Sequence, residues 1–206
     1  MKPDLKKLLA DGLGKLGLDC SERVLSAFDI YLAELMRWNK AYNLTSIRNE
    51  RDVITSHFLD SALYLKALPV AAKSVADIGS GGGFPGLVIK ILRPDLTVHL
   101  IEPSGKKCAF LRNMLRKLPL EGTHVHEARL EEVKDMQVDA AVTRALFSAG
   151  DFVKMSAHIL KPGGTLILSK GPKYKEEIEA LASAHSVIDM KLPGEDIVRH
   201  MVIITP

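Results

Sequence analysis

The chain has 206 residues, of which 47% are hydrophobic, 26% charged and only 5% aromatic, with a net charge of +3. This excludes a disordered chain and supplies apolar mass for one cored domain, or one domain with an extension. The mild positive charge permits a polyanionic partner without requiring one.

From the N-terminus, Leu5, Leu8, Leu9, Leu13 and Leu16 recur at intervals of three and four and predict an amphipathic helix. Asp4, Lys6, Lys7, Asp11 and Lys15 interrupt these leucines, so the stretch does not read as a secretory signal. Nothing approaches the roughly 18 apolar residues of a membrane span, and a cytoplasmic protein without membrane contact is expected. Ser21 stands where it caps a second helix carrying Val24, Leu25, Phe28, Leu32, Leu35 and Met36. That helix runs out at "WNKAYNLTS", where Asn and Thr compete for backbone hydrogen bonds. Asn49 caps a third, with Val53, Ile54, Phe58, Leu59, Ala62 and Leu63 inward, which stops before Pro69.

The pattern then changes, dividing the chain into a helical extension, 1–73, and an α/β domain, 74–206. Strands are predicted at 74–79, 97–102, 123–128, 140–145, 164–170, 186–192 and 199–205. The segments "PGLVIKILR", "GKKCAFLRNMLRKL" and "DFVKMSAHIL" between the earlier strands have helical spacing. Alternating strand and helix predicts a mostly parallel sheet covered on both faces. The last two strands, joined by a short loop, are expected to pair as a hairpin at the sheet edge. Cys20 and Cys108, the two cysteines, lie outside any CxxC; no disulfide framework and no metal site are expected.

Between the first strand and its helix lies "DIGSGGGFPG" (77–86), five glycines in ten residues. Such a loop, at the carboxyl end of a strand in a parallel sheet, offers bare backbone N–H groups to a nucleotide-like ligand. A triphosphate loop needs Gly-Lys-Ser/Thr where this chain has Phe84 and Pro85. A dinucleotide GxGxxG matches only offset, as Gly81, Gly83 and Gly86, with a proline where helix N–H groups should face the pyrophosphate. S-adenosylmethionine needs a close loop, an acid near its methionyl amine and a carboxylate for its ribose. Asp77 and Glu102, 25 residues later at the end of the second strand, supply the two acids.

"RWNKAYNLTSIR" (37–48), "HFLDS" (57–61), "DIGSGGGFPGLVIKILRPD" (77–95), "GKKCAFLRN" (105–113), "ARLEE" (128–132), "TRALFS" (143–148), "KG" (170–171) and "RH" (199–200) together resemble the bacterial small-subunit ribosomal RNA methyltransferase G family, also called glucose-inhibited division protein B. The resemblance covers almost the whole chain. It implies a class I S-adenosylmethionine-dependent methyltransferase, Rossmann-like with a seven-stranded sheet and an N-terminal helical extension, that methylates N7 of one guanosine in 16S ribosomal RNA. It also implies cofactor contacts at Gly79 and Phe84, with Ser80 and Gly81 in the same loop, at Leu130 and Glu131 near the adenine, and at Arg144. Two departures are visible: relatives often carry proline in the middle of Gly81-Gly82-Gly83, and serine where this chain has Thr143.

The residues agree with that chemistry. Enzymes acting on exocyclic amines usually carry Asn/Asp-Pro-Pro-aromatic after the fourth strand, where this chain has "TRALFS". Attack through pyrimidine C5 needs a nucleophilic cysteine, whereas Cys108 falls inside an amphipathic helix and is expected to pack in the core. Guanine N7 needs neither, since its lone pair carries no proton, and catalysis is mainly positioning. Arg144 and Lys170, at strand ends, are the candidate catalytic groups; Lys106, Lys170 and Arg199 are the candidate RNA contacts. Lys106, Arg112 and Arg116 also fit a solvated helix face. His57 and Asp60, three apart on a helix, are expected to form a local structural pair rather than an acid–base pair. Three rival functions remain: a small-molecule methyltransferase, which wants an aromatic-lined pocket; an NAD-dependent oxidoreductase, resting on the offset glycines; and a non-catalytic ribosome-assembly factor. A monomer is expected.

Overall fold

The structure is a computed structural model that describes residues 1–144, 147–172, 174–179, 181 and 183–206. Helices α1 (Pro3–Lys15) and α2 (Glu22–Tyr42) follow the leucine stripes, each burying its apolar side. Asn49 caps α3 (Glu50–Val53) by accepting from Asp52 N–H at 2.8 Å, as its position foretold. Ser21 occupies the N-cap position of α2 without a side-chain cap; its N–H and hydroxyl bond Asp19 instead.

The third predicted helix is not one α-helix. After α3 comes a π-helical turn, Ile54–Leu59, then α4 (Asp60–Ala62) and α5 (Tyr64–Ala67). Asp60 N–H reaches back five residues to Thr55 O, which rotates the following side chains relative to α-helical spacing.

The remaining elements are β1 (Ser74–Ile78), α6 (Gly86–Leu92), β2 (Thr97–Ile101), α7 (Gly105–Lys117), β3 (Thr123–His126), β4 (Val138–Arg144), α8 (Ala149–Ser156), β5 (Leu160–Lys170), α9 (Tyr174–Glu179), β6 (Ala184–Lys191) and β7 (Val198–Thr205). The sheet order is β3-β2-β1-β4-β5-β7-β6, parallel except that β7 runs antiparallel to both neighbours. All seven predicted strands and the edge hairpin are present. The predicted end of the fourth strand, residue 145, lies outside the described residues. β5 begins four residues before its prediction, because its start pairs with Val138 and a bulge at 161–164, with Gly163 at φ +75°, separates it from the Ala140–Thr165 register. Helix α9 has no counterpart in the predicted elements.

Residues of α1 and α2, the segment from α3 to α5, α6 and α7 share one apolar core over one face of the sheet, where Leu9, Phe28, Phe58, Leu87 and Phe110 are fully buried. Phe152 of α8 and Ile178 of α9 belong to the core on the other face. Burial on both faces accounts for the apolar runs of the central strands, and all five β1 residues are buried. Among the described residues no helix is long and apolar enough to cross a membrane.

Candidate active site

The glycine loop folds back on itself at the carboxyl end of β1. Gly79 and Ser80 N–H both donate to Ile101 O, at 2.9 and 3.1 Å, and Gly83 and Phe84 N–H donate to Ser80 O, at 2.7 and 2.9 Å. This path requires positive φ at Gly79 (73°), Gly81 (56°) and Gly83 (94°), a region that side chains disfavour. Gly82 has no positive φ, and its N–H donates no hydrogen bond among the described residues.

Glu102 ends β2 and is 4% exposed, with Oε2 accepting from Gly81 N–H at 2.9 Å and Oε1 from Ser104 N–H at 3.0 Å. It ties the loop to the next turn, and each carboxylate oxygen keeps a lone pair for a ligand hydroxyl.

Asp77 behaves differently from its expectation. It is fully buried, lines neither cavity described below, and accepts from Gly86 N–H at 2.7 Å, so it fastens β1 to the start of α6. Its other oxygen, Oδ1, has no partner. The carboxylate points into the fold, and the cap it supplies orients the loop. Burial pushes its pKa from 3.8 up to about 7, opposed by the Gly86 bond and Arg144 and reinforced by Glu102. Between those two values the folded chain holds a proton that the unfolded chain has lost. The contribution of Asp77 to stability is therefore complete below about pH 4 and declines as pH rises to about 7. Asp77→Asn is expected to flatten the melting-temperature profile across that range and to match or exceed the parent at about pH 8. A large loss at pH 8 would show instead that the charged carboxylate is required.

Two cavities adjoin the loop and share Gly79. One of about 240 Å³ is lined by Ile78, Ile101, Pro103, Leu130, Glu131, Phe147 and Met155 among others. The second, about 130 Å³, is bounded by the loop at 79–82, Leu44, Thr45, His57, Phe84 and Arg144. Together they form a crevice over the carboxyl ends of β1, β2 and β4, where the strand order reverses, the place ligands occupy in open α/β sheets. A larger hollow, about 570 Å³, lies between Lys15 and the turn after β6, four strands from the loop, and contains none of these groups. The crevice suits an adenosyl ligand: an apolar slot for a base, the Glu102 carboxylate bonded to the loop that walls it, and unobstructed glycine backbone, where a Cβ on Gly81 would meet nothing nearer than 3.8 Å.

The inner cavity is walled by a side-chain chain that spacing did not reveal. Arg144 donates through Nη1 to Ser56 O (3.1 Å) and through Nη2 to His57 Nδ1 (2.9 Å), and lies 3.6 Å from Asp60 Oδ2. Its guanidinium sits 5.2 Å over the Phe84 ring, which is itself stacked on His57 and Tyr31. Arg144 has only donors, so His57 Nδ1 accepts, and Nε2 carries the proton that it gives to Thr45 Oγ1, 2.7 Å away. Burial, then the Arg144 charge, pushes the His57 pKa down to about 3. His57 is a fixed neutral spacer. Asp60 does not bond His57; it bridges Arg144 and Arg199, whose Nε donates to Asp60 Oδ1.

Two residues of the predicted basic rim have partners within the chain. Lys170 Nζ is 2.7 Å from both Glu177 Oε1 and Phe147 O, so it closes on its own chain. Arg199 is engaged by Asp60, which is 4% exposed. Lys106 is exposed at the start of α7. Leu130 and Glu131 line the larger cavity, Leu130 buried and Glu131 exposed. Phe84 presents its ring mainly to aromatic neighbours. Thr143 donates its hydroxyl to Ile78 O at 2.9 Å, a bond that serine makes equally well. Cys108 is buried, with its thiol pushed up to about 11 by burial.

A family model described as GidB, rRNA small subunit methyltransferase G, matches residues 24–195. The chain belongs to that family. It is 39% identical to ribosomal RNA small subunit methyltransferase G of Xanthomonas campestris pv. campestris (strain B100), over 99% of this chain and 96% of that one. The protein of the same description from Neisseria meningitidis serogroup B is 36% identical, over 97% and 98%. Among solved structures, methyltransferases from Geobacter sulfurreducens (TM-score 0.62, 14% identity, 86% and 88% covered) and Pyrococcus furiosus (0.61, 15%, 87% and 98%) share the fold. Membership makes the chain an S-adenosylmethionine-dependent methyltransferase of the Rossmann-like class, as the glycine loop and sheet led one to expect.

Proposed function

We propose that the protein methylates N7 of a guanosine in 16S ribosomal RNA within the small subunit or its precursors. Membership of a family described as acting on small-subunit rRNA carries the reading, and the inner cavity supports it. S-adenosylmethionine, when bound, supplies the electrophilic methyl group. Pro103, Leu130, Glu131 and Met155 would hold its base, Glu102, bonded to Gly81 and Ser104 N–H, would accept from the ribose hydroxyls, and the loop at 79–82 would face its methionine end. Arg144 and the loop fix the approach of the guanine, and Arg144 adds a positive edge that attracts its O6 and phosphates. N7 has no proton to lose. Accordingly, His57 has its one acceptor nitrogen committed to Arg144, and the Cys108 thiol stays protonated. Lys170 acts in this scheme by fixing Phe147 and α9 at the cavity wall. The segments 1–73 and 74–206 divide by topology while sharing one core, and the enzyme works as a cytoplasmic monomer.

The deciding experiment incubates the protein with small ribosomal subunits or 16S rRNA and methyl-labelled cofactor, then maps the product. Label at guanine N7 of one site is expected. Label on another atom, or rRNA binding without transfer, would overturn the reading.

Glu102→Ala is expected to weaken S-adenosylhomocysteine binding by about 1–3 kcal/mol, the usual cost of a lost hydrogen-bonded group. Calorimetry measures it; unchanged affinity would exclude Glu102 from ribose binding.

A further inference from the structure

The exposed large apolar side chains of the described residues include one aromatic ring, Tyr42, 46% exposed at the end of α2. It is not a loose surface residue. Its ring packs at a 39° tilt against Trp38 (5.3 Å between centroids), and Trp38 meets the fully buried Phe110 edge-on at 5.7 Å. An aromatic row thus runs from the core to the surface and holds the last ring in place.

Tyr42 stands two residues before the wall of the inner cavity. Asn43, in the left-handed conformation at φ +50°, ends α2 and turns the chain into Leu44 and Thr45, which line the inner cavity. Helix α2 runs antiparallel to α7: Glu34 meets Asn113 at 2.8 Å and Trp38 meets Phe110. One turn further along, Tyr42 comes level with the first turn of α7, which carries Lys106, and Lys107 lies 3.9 Å from Glu102. Arg48 and Lys106 are exposed and form no ion pair among the described residues, and Arg48 donates to Asn43 Oδ1 at 2.8 Å. A held ring with an open face, near two unpaired cations and two residues before the wall of a methyl-transfer cavity, is complementary to single-stranded RNA, whose bases stack and whose phosphates need positive charge.

We propose that Tyr42 is a stacking platform for a base flanking the target guanosine, with Arg48 and Lys106 on the adjoining phosphates. This rests on the rRNA reading above. The test compares Tyr42→Ala with Tyr42→Phe, using 16S rRNA as substrate. Tyr42→Ala is expected to raise the RNA KM about 5- to 150-fold, the range for losing one stacked base, with S-adenosylhomocysteine affinity unchanged and Tyr42→Phe close to the parent. Trp38, the single tryptophan, is a built-in reporter: RNA should change its fluorescence in the parent and much less in Tyr42→Ala. An unchanged RNA KM in Tyr42→Ala overturns the platform, as does a Tyr42→Phe defect equal to that of Tyr42→Ala, which would assign the role to the hydroxyl. Absence of methyl transfer by the parent protein would overturn the rRNA reading itself, so the two failures are distinguishable.

Discussion

Arg144→Ala is expected to lower kcat/KM by about 100-fold, the scale on which misplacing reacting groups by an ångström acts. Arg144 joins the π-turn to β4 and the glycine loop, through Ser56 O, His57 Nδ1, Asp60 and the face of Phe84. Truncation releases all four together, and the inner cavity loses its wall and its charge. Stability should fall as well, by about 1–3 kcal/mol. Asp60 is buried but keeps Arg199, so the loss stays below that of a carboxylate left without any cation. Arg144→Lys separates charge from geometry: an ammonium keeps the attraction to Asp60 but does not span Ser56 and His57 as a planar fork does. It should recover part of the stability and little of the turnover. Chemical denaturation and methyl transfer on rRNA measure the two effects, and activity within tenfold of the parent in Arg144→Ala would show that the residue is structural only.

The same network marks the limit of what spacing reveals. Thr45, His57, Asp60, Arg144 and Arg199 lie on four separate stretches of the chain, and their partners exist only once β4, β7 and the π-turn are assembled. Helical i, i+3 spacing links His57 to Asp60, and both do have structural roles. The π-turn and the nearby guanidinium redirect them to Arg144, which no local rule foresees. Lys170 shows another cause. Its strand position was legible, but its counter-ion Glu177 belongs to α9, a six-residue helix whose pattern is too short to stand out. By contrast, the sheet and the glycine loop were legible, because short apolar runs alternating with helical spacing, and clustered glycines after a strand, are local signals. Asp77 lies between the two cases. Its position fits both a ligand acid and a helix cap, and only the 2.7 Å bond to Gly86 inside a closed core decides for the cap.

Gly83→Ala is expected to cost about 3–5 kcal/mol, a large part of the roughly 5–15 kcal/mol by which a domain is stable. Three effects combine at this residue. Its φ of +94° lies where a Cβ is strained. The added carbon would stand 2.5 Å from Leu87 Cδ1 and 2.6 Å from Tyr31 Oη, inside a packed core that has no room to relax. Moving Tyr31 breaks its hydroxyl bond to Gly82 O and leaves a buried carbonyl without its donor. Because that bond anchors the loop whose other end is held by Glu102, cofactor affinity should fall with stability. Gly14→Ala is the matched control: it lies in α1 with nothing within 4 Å of the added Cβ, and should stabilise by about 0.5–1 kcal/mol through helix propensity. Urea denaturation and S-adenosylhomocysteine calorimetry on both variants measure this. A Gly83→Ala protein as stable as Gly14→Ala would mean that the loop takes a different path from the one that places its amides beneath the crevice.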